Sequence, residues 1–448
     1  MNTEGRRLMS LILRRFIVVI AIFVCGASYG GKLLQESDLT YLGAFRVPQG
    51  SYNGQSYEYS GHTLAYYPTN NSLFMASTNA ELVSEFSIVA TSTDSTVTNL
   101  TVASNLQAWE DITEGNRTSI GDGGAYCNPS GVFLGGLMVW GDELIASLFG
   151  YYDAGFCAEL SHFTSGLDLS DTGDFDGMYR VGDETKNVGY RAGYMAPIPS
   201  EWQSSFGNRT AVTGHSFFPI ISRSSFGPSL WTFDPDSIGV VEPVGSEPLV
   251  YYDATGSEAT LGEYVGNGPA NEYISPRDFI GGVIWPPGTD TVLFIGNHGS
   301  GEWKYKSEDE GYNPNGNGSY PYHYWVWAYN ANDLAASYAG DYQVTQADYD
   351  STRFLDGIYP NNTSLAVGEI VEPPNIKPYA MWELTPSIYP TGYERDVHGA
   401  CYDSVNKIIY IAAMRADGYR PIIHSYSVDI ESASAITAPT NLTATKVE

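Results

Sequence analysis

Four histidines hold positions from which they could do chemistry. His62 follows Gly61, His215 follows Gly214 and His398 precedes Gly399, each at the start of a hairpin's first strand. His298 instead ends a second strand, after Ile295-Gly296-Asn297. Imidazole titrates near neutrality, so a group of them suits general-base catalysis or ligation of a transition metal. Arg277, Arg395 and Tyr126 could then neutralise and protonate an acidic sugar, the chemistry of a polysaccharide lyase. The competing reading makes all of them separate turn and rim residues, since no His-x-x-x-His spacing ties them together.

Other signatures are weaker. Gly214-His215-Ser216 runs into Phe217-Phe218 and is no nucleophile elbow. The chain has no phosphate-cradling loop, no Cys-x-x-Cys and no dinucleotide fingerprint. Calcium is the one cofactor with a case. Asp171, Asp174 and Asp176 form an oxygen-rich turn, and Asn313-Pro314-Asn315-Gly316-Asn317 imitates the start of a calcium loop but has Tyr324 at its twelfth position. Plain Asx turns are the favoured explanation of both. Trp325 and Trp327 alternate in one strand, which suits packing between sheets or stacking on sugar.

These residues need a frame, and composition narrows it. Of 448 residues, 48 are Gly and 34 are Tyr, while charged residues make up only 16%. Such a chain is no coiled coil or helical bundle; it favours short strands joined by Gly-rich turns. With 22 basic against 51 acidic residues the net charge is −29, which excludes nucleic acid as a natural partner.

One hairpin pattern recurs. Its copies begin at Gly61, Gly136, Gly281 and Gly399, and each joins two apolar, β-branched or aromatic runs across a turn. A third strand follows most pairs, as at 83–88, 160–164, 229–233, 325–329 and 422–428. A fourth precedes them, as at 39–47, 102–109, 249–252 and 379–384. Repeated four-stranded units describe an all-β propeller over residues 31–428, with the four histidines converging near one end of its channel. Five blades are favoured. Six or seven follow if divergent blades lie near 176–213 and 335–375, because five leaves about 78 residues per blade against roughly 40–45 in compact propellers. The strand at Leu39 and the last strands near Tyr426 share a blade or lie in adjacent ones.

Residues 1–30 read as a signal peptide: four arginines, the apolar run Phe16–Val24, then small residues. The run is too short for a membrane span. The mature chain, with 18 basic and 50 acidic residues, is expected to be secreted, extracellular or on the cell surface. An oxidising compartment permits a Cys127–Cys157 bridge and leaves Cys401 buried. Sequons at Asn70, Asn99, Asn116, Asn208, Asn317, Asn361, Asn362 and Asn441 allow glycosylation, though polar turns produce the same triplets. Residues 429–448 form a linker and a tail strand, Pro439–Thr445, with no domain of its own. Through Leu442 and Ala444 that strand could add to a neighbour's sheet edge and propagate a filament.

The string Glu36-Ser37-Asp38 running into Tyr41-Leu42-Gly43-Ala44-Phe45-Arg46-Val47-Pro48 resembles the opening of a group of uncharacterised exported bacterial proteins. Gly193-Tyr194-Met195 to Glu201-Trp202 and Pro219–Arg223 extend the likeness over most of residues 36–428. The resemblance implies a propeller-like exported protein and supplies no activity. On balance the sequence favours a secreted structural or surface protein that self-assembles and carries glycans. A polysaccharide lyase or glycoside hydrolase, or a glycan-binding propeller, is the alternative.

Overall fold

The chain was described from a computed structural model, which covers residues 31–77, 81–121, 131–151, 153, 157–183, 188–216, 225–252, 261, 267–268, 273–275, 278–304, 318–346, 366–388 and 397–431. All of them belong to the unit Gly31–Glu448. Five four-stranded antiparallel sheets form a five-bladed propeller. The innermost strands are Leu64–Tyr67, Val132–Trp140, Met195–Pro197, Phe279–Ile284 and Val397–Asp403; each touches the next, and the last touches the first.

In blades one to four the strands run outward in chain order. Blade five closes the ring. Its three inner strands come from residues 397–428, and its outermost is Leu39–Arg46, paired antiparallel from Leu39↔Val428 to Arg46↔Ile422. Lys32 fastens the seam through Asp38 at 2.8 Å and Asp429 at 3.2 Å. The strands expected to precede each hairpin are thus the outermost strands of the preceding blades.

Two expectations change. Blade three uses Met195–Pro197 and Ala211–Thr213, strands of three residues separated by the helical turns of 200–206, too short to register as a hairpin. Residues 335–375 form no blade in their described part. Ala331–Ala339 is a helix capped by Asn330 and stopped by Gly340 in the left-handed region.

Apolar packing follows the same five-fold plan. Each of the five interfaces between blades buries its own cluster, built for example on Phe74 with Leu137, Phe233 with Met138, Trp327 with Tyr252, Ile411 with Val326, and Trp109 with Phe45. Trp325 and Trp327 line the blade-four face as packing residues, Trp327 donating to Tyr273 O at 2.7 Å.

The glycines that open the hairpins serve close approach. Inner strands carry a bulge at Leu134/Gly136, Ile280/Gly282 and Val397/Gly399. A Cβ on Gly135 would lie 1.9 Å from Ala192 O, and one on Gly281 would lie 2.5 Å from the His398 carbonyl carbon. Only hydrogen fits between these backbones. Gly135→Ala is therefore expected to cost about 3 kcal/mol or more by forcing two blades apart, read as a lower urea midpoint.

Candidate functional site at the histidine end of the channel

The bulges also aim side chains. His398 is the extra residue between Val397 and Gly399, a position that re-orients a side chain at the rim of a closed sheet. Its Nδ1 lies 3.2 Å from Nδ1 of His62, with ring centroids 5.0 Å apart. One hydrogen bond between two Nδ1 atoms requires that one donates and the other accepts, so the pair holds a single proton at this contact. Phe279 packs against the His398 ring at 4.4 Å.

Phe279 leads to the second element. Its N–H donates to Asn297 Oδ1 at 2.9 Å, which places its neighbour Asp278 beside His298. His298 Nδ1 meets Asp278 Oδ2 at 2.6 Å, both side chains buried. The carboxylate also accepts from Ser275 N at 2.7 Å, Ser275 Oγ at 2.5 Å and Gly299 N at 2.8 Å. A carboxylate so fixed holds the imidazole with its proton on Nδ1 and leaves Nε2 as the basic atom. No described residue hydrogen-bonds Nε2. Trp325 packs against the ring at 4.9 Å.

His215 completes the arc, but not as expected. It follows Ala211–Thr213, the second strand of blade three, rather than opening a first strand, because the hairpin there begins twenty residues earlier than the apolar run suggests. Its Nδ1 donates to Gly189 O at 3.1 Å, and the ring packs on Phe149 at 4.4 Å. Burial pulls its pKa down to about 4, so it is neutral at neutral pH. The next residue, Ser216, accepts from Ile280 N at 3.4 Å, joining this histidine to the strand that carries Phe279. His215, His298, His398 and His62 thus lie along one continuous set of contacts at one end of the ring.

Sequence reasoning passed over several residues here. Asp278 stands at the start of an inner strand, as His62 and His398 do, but is one acid among 51 Asp and Glu. Arg191 is buried with its guanidinium 4.8 Å from the Trp231 ring centre, and burial lowers its pKa to about 10. His323 bonds Glu383 at 2.9 Å and Ser300 at 3.1 Å.

Other expectations fall elsewhere. Tyr126, Arg277, Arg395, Cys127, Asn313, Asn315, Asn317, Asn361, Asn362, Asn441, Leu442 and Ala444 lie outside the described residues. Cys157 is disulfide-bonded and Cys401 is a buried free thiol. Asp171, Asp174 and Asp176 do not converge on a metal position, and no group of three such ligands exists among the described residues. Each instead holds a turn: Asp171 N bonds Asp168 O, Asp174 accepts from Gly166 N, and Asp176 accepts from the Tyr179 hydroxyl. Asn70 donates to Glu85 at 3.0 Å, Asn99 to Asp94 at 2.8 Å and Asn116 to Thr113 O at 3.0 Å, while Asn208 is exposed.

The opposite end of the channel differs in kind. A cavity of about 250 Å³ opens where the inner strands finish, lined by Leu64, Met138, Met195, Val283 and Cys401 from the five blades. Burial holds the Cys401 thiol protonated, so this end offers apolar surface and little chemistry. No helix among the described residues is long and apolar enough to cross a membrane.

No protein-family model matches the chain, and no curated protein matches it in sequence. Among solved structures it is similar to an α-L-arabinanase mutant from Cellvibrio cellulosa, at 9% identity over 84% of this chain and 96% of that one, with a TM-score of 0.37. It is also similar to an endo-arabinase from Bacteroides thetaiotaomicron, at 8% identity over 86% and 98% of the two chains and a TM-score of 0.39. A glycosyl hydrolase from Bacteroides ovatus is a third, at 12% identity over 88% and 96%, with a TM-score of 0.41.

Proposed function

We infer that this is an exported carbohydrate-active enzyme that uses His298 as a general base at the histidine end of the propeller. The Asp278–His298 dyad carries the reading: four donors, the imidazole among them, fix the carboxylate, which in turn orients the imidazole with Nε2 turned away from it. The described residues hold nothing that favours the head-to-tail filament. A disulfide at Cys157 accords with export.

Among reactions on polysaccharides, β-elimination at a uronic acid is the one that needs a lone base rather than a carboxylate pair. His298 Nε2 takes the proton from the carbon beside the sugar carboxylate. The electron pair forms the carbon–carbon double bond, the glycosidic oxygen leaves, and the His62–His398 pair returns a proton to it. Arg277 and Arg395, next to Asp278 and close to His398 in sequence, are assigned to the sugar carboxylate. The substrate class is therefore a uronate-containing polysaccharide.

Incubation with galacturonan, glucuronan and alginate tests this, because the unsaturated product absorbs in the ultraviolet. A rise with one of them is expected; no rise with any refutes the reaction. The excess of acidic residues, 50 against 18 basic ones without residues 1–30, opposes an anionic substrate at long range. Raising ionic strength from about 0.01 M to 0.15 M shortens screening from ~30 Å to ~8 Å and should increase kcat/KM several-fold.

A further inference from the structure

We propose that Ser300, His323 and Glu383 form a second reactive site, a serine nucleophile with its base and orienting carboxylate, which hydrolyses carboxylic esters. It lies beside the elimination centre and does not depend on that reading. His323 Nδ1 is 2.9 Å from Glu383 Oε1, and its Nε2 is 3.1 Å from Ser300 Oγ. A carboxylate only accepts, so Nδ1 carries the proton and donates to Glu383. Nε2 is then the acceptor, and the Ser300 hydroxyl donates to it in preference to Pro321 O at 3.3 Å. Nucleophile, base and orienting acid linked in that order are the arrangement that activates a serine.

Strand pairing in blade four places the three residues. Thr291–Gly299 runs antiparallel to Tyr322–Asn330, with His298 opposite His323 and Gly299 opposite Tyr322. The pairing continues one step further, where Ser300 N donates to Pro321 O at 3.0 Å. Ser300 therefore falls diagonally across from His323 on one face of the sheet. Glu383, opposite Trp325 on the outermost strand, is the diagonal neighbour of His323 on that same face. Glycines flank the nucleophile for a steric reason. A Cβ on Gly299 would lie 2.6 Å from the Ser319 Cβ, and one on Gly301 would lie 1.9 Å from Tyr320 O. Ser319 is itself held, its N–H donating to the Tyr322 hydroxyl at 3.0 Å. Ser300 remains exposed, and His323 and Glu383 keep 22% and 32% of their side-chain surface, so an ester on a large molecule can reach them.

In the reaction, Ser300 Oγ bonds to the ester carbonyl carbon while its proton passes to His323 Nε2. The bond from that carbon to the alcohol oxygen breaks, and the alcohol leaves with the proton. Water then adds to the acyl carbon and gives a proton to Nε2. The acid departs as that proton returns to Ser300 Oγ, so one ester and one water become one acid and one alcohol. The amides of Ser300 and Gly301 are committed to Pro321 O and Ser319 O, each at 3.0 Å, and do not steady the carbonyl oxygen. An oxyanion donor is worth about 10²–10³ in rate, which directs the site toward esters whose alcohol leaves readily, such as aryl esters.

The test treats the mature chain with a fluorophosphonate, which loses fluoride as an activated serine bonds to its phosphorus, and locates the adduct by mass spectrometry. Ser300 should be labelled at least about tenfold faster in the wild type than in His323→Gln, which removes the base. Hydrolysis of 4-nitrophenyl acetate should fall about 10²-fold in Ser300→Ala. Glu383 acts through His323 as a positioning residue, so Glu383→Gln should lower kcat about tenfold with KM and melting temperature unchanged. Ser300 is exposed, so its alanine variant should fold, which an unchanged melting temperature verifies. A wild type unlabelled at Ser300, or labelled as fast in His323→Gln, overturns the proposal, as does wild-type ester hydrolysis by Ser300→Ala. No polysaccharide enters the test. A chain that labels at Ser300 but forms no unsaturated product keeps this site and refutes the base at His298, and the converse keeps the base alone.

Discussion

His298→Gln is expected to lower kcat/KM on the cleaved polysaccharide by about 10²–10⁴-fold, the usual contribution of a positioned general base. Glutamine keeps a donor for Asp278 and removes the basic nitrogen, so melting should change little while turnover disappears. Asp278→Asn should lose activity and stability together. The carboxylate oxygens accept four hydrogen bonds, and an amide in their place sets NH₂ against two of those donors. Each buried group left unsatisfied costs about 1–3 kcal/mol. A His298→Gln enzyme with wild-type kcat/KM would remove the base from the mechanism, whatever the fate of Asp278→Asn.

The second large effect is acid lability well above the range where carboxylates titrate. Burial lowers His162 and His424 to about 3 and His215 to about 4, against 6.5 for an unhindered imidazole. Below pH 6.5 the unfolded chain therefore binds protons that the fold refuses, and stability falls as pH falls, until the folded values are reached. Each pH unit costs about 1.4 kcal/mol per histidine, so from pH 6.5 to 4.5 each loses roughly 2–3 kcal/mol. Three together approach the whole stability of a typical domain, about 5–15 kcal/mol. Urea unfolding at pH 7 and 4.5 reads the difference directly. His424→Phe should recover about a third of it, although Tyr41 then loses its partner at 3.1 Å. A flat profile over this interval would mean that these imidazoles reach solvent.

How much of this was legible in the sequence depended on the length of each signal. Four hairpins were readable because their strands carry long β-branched runs, such as Ile408–Asp417. Blade three was not, since three-residue strands ended by Pro197 hold too few positions for a period of two to emerge. His62 and His398 announced themselves by repeating at one position of the motif. Asp278 sits at that position too, but an acid in an acidic chain carries no contrast. His62 and His398 lie at opposite ends of the sequence. Only ring closure, with Leu39–Arg46 paired to Arg420–Val428, makes them neighbours. The bulge that turns His398 toward His62 is likewise a matter of register, which a single strand does not reveal.

Carbohydrate bound and cleaved at the histidine end is what the dyad and the histidine pair require together. A crystal structure of the His298→Gln chain with an oligogalacturonate tests it most directly. Sugar is expected at that end, with the carbon beside a carboxylate facing residue 298 and the glycosidic oxygen toward His62 and His398. Sugar in the apolar cavity at the opposite end, or on the outer edge of a blade, would contradict it.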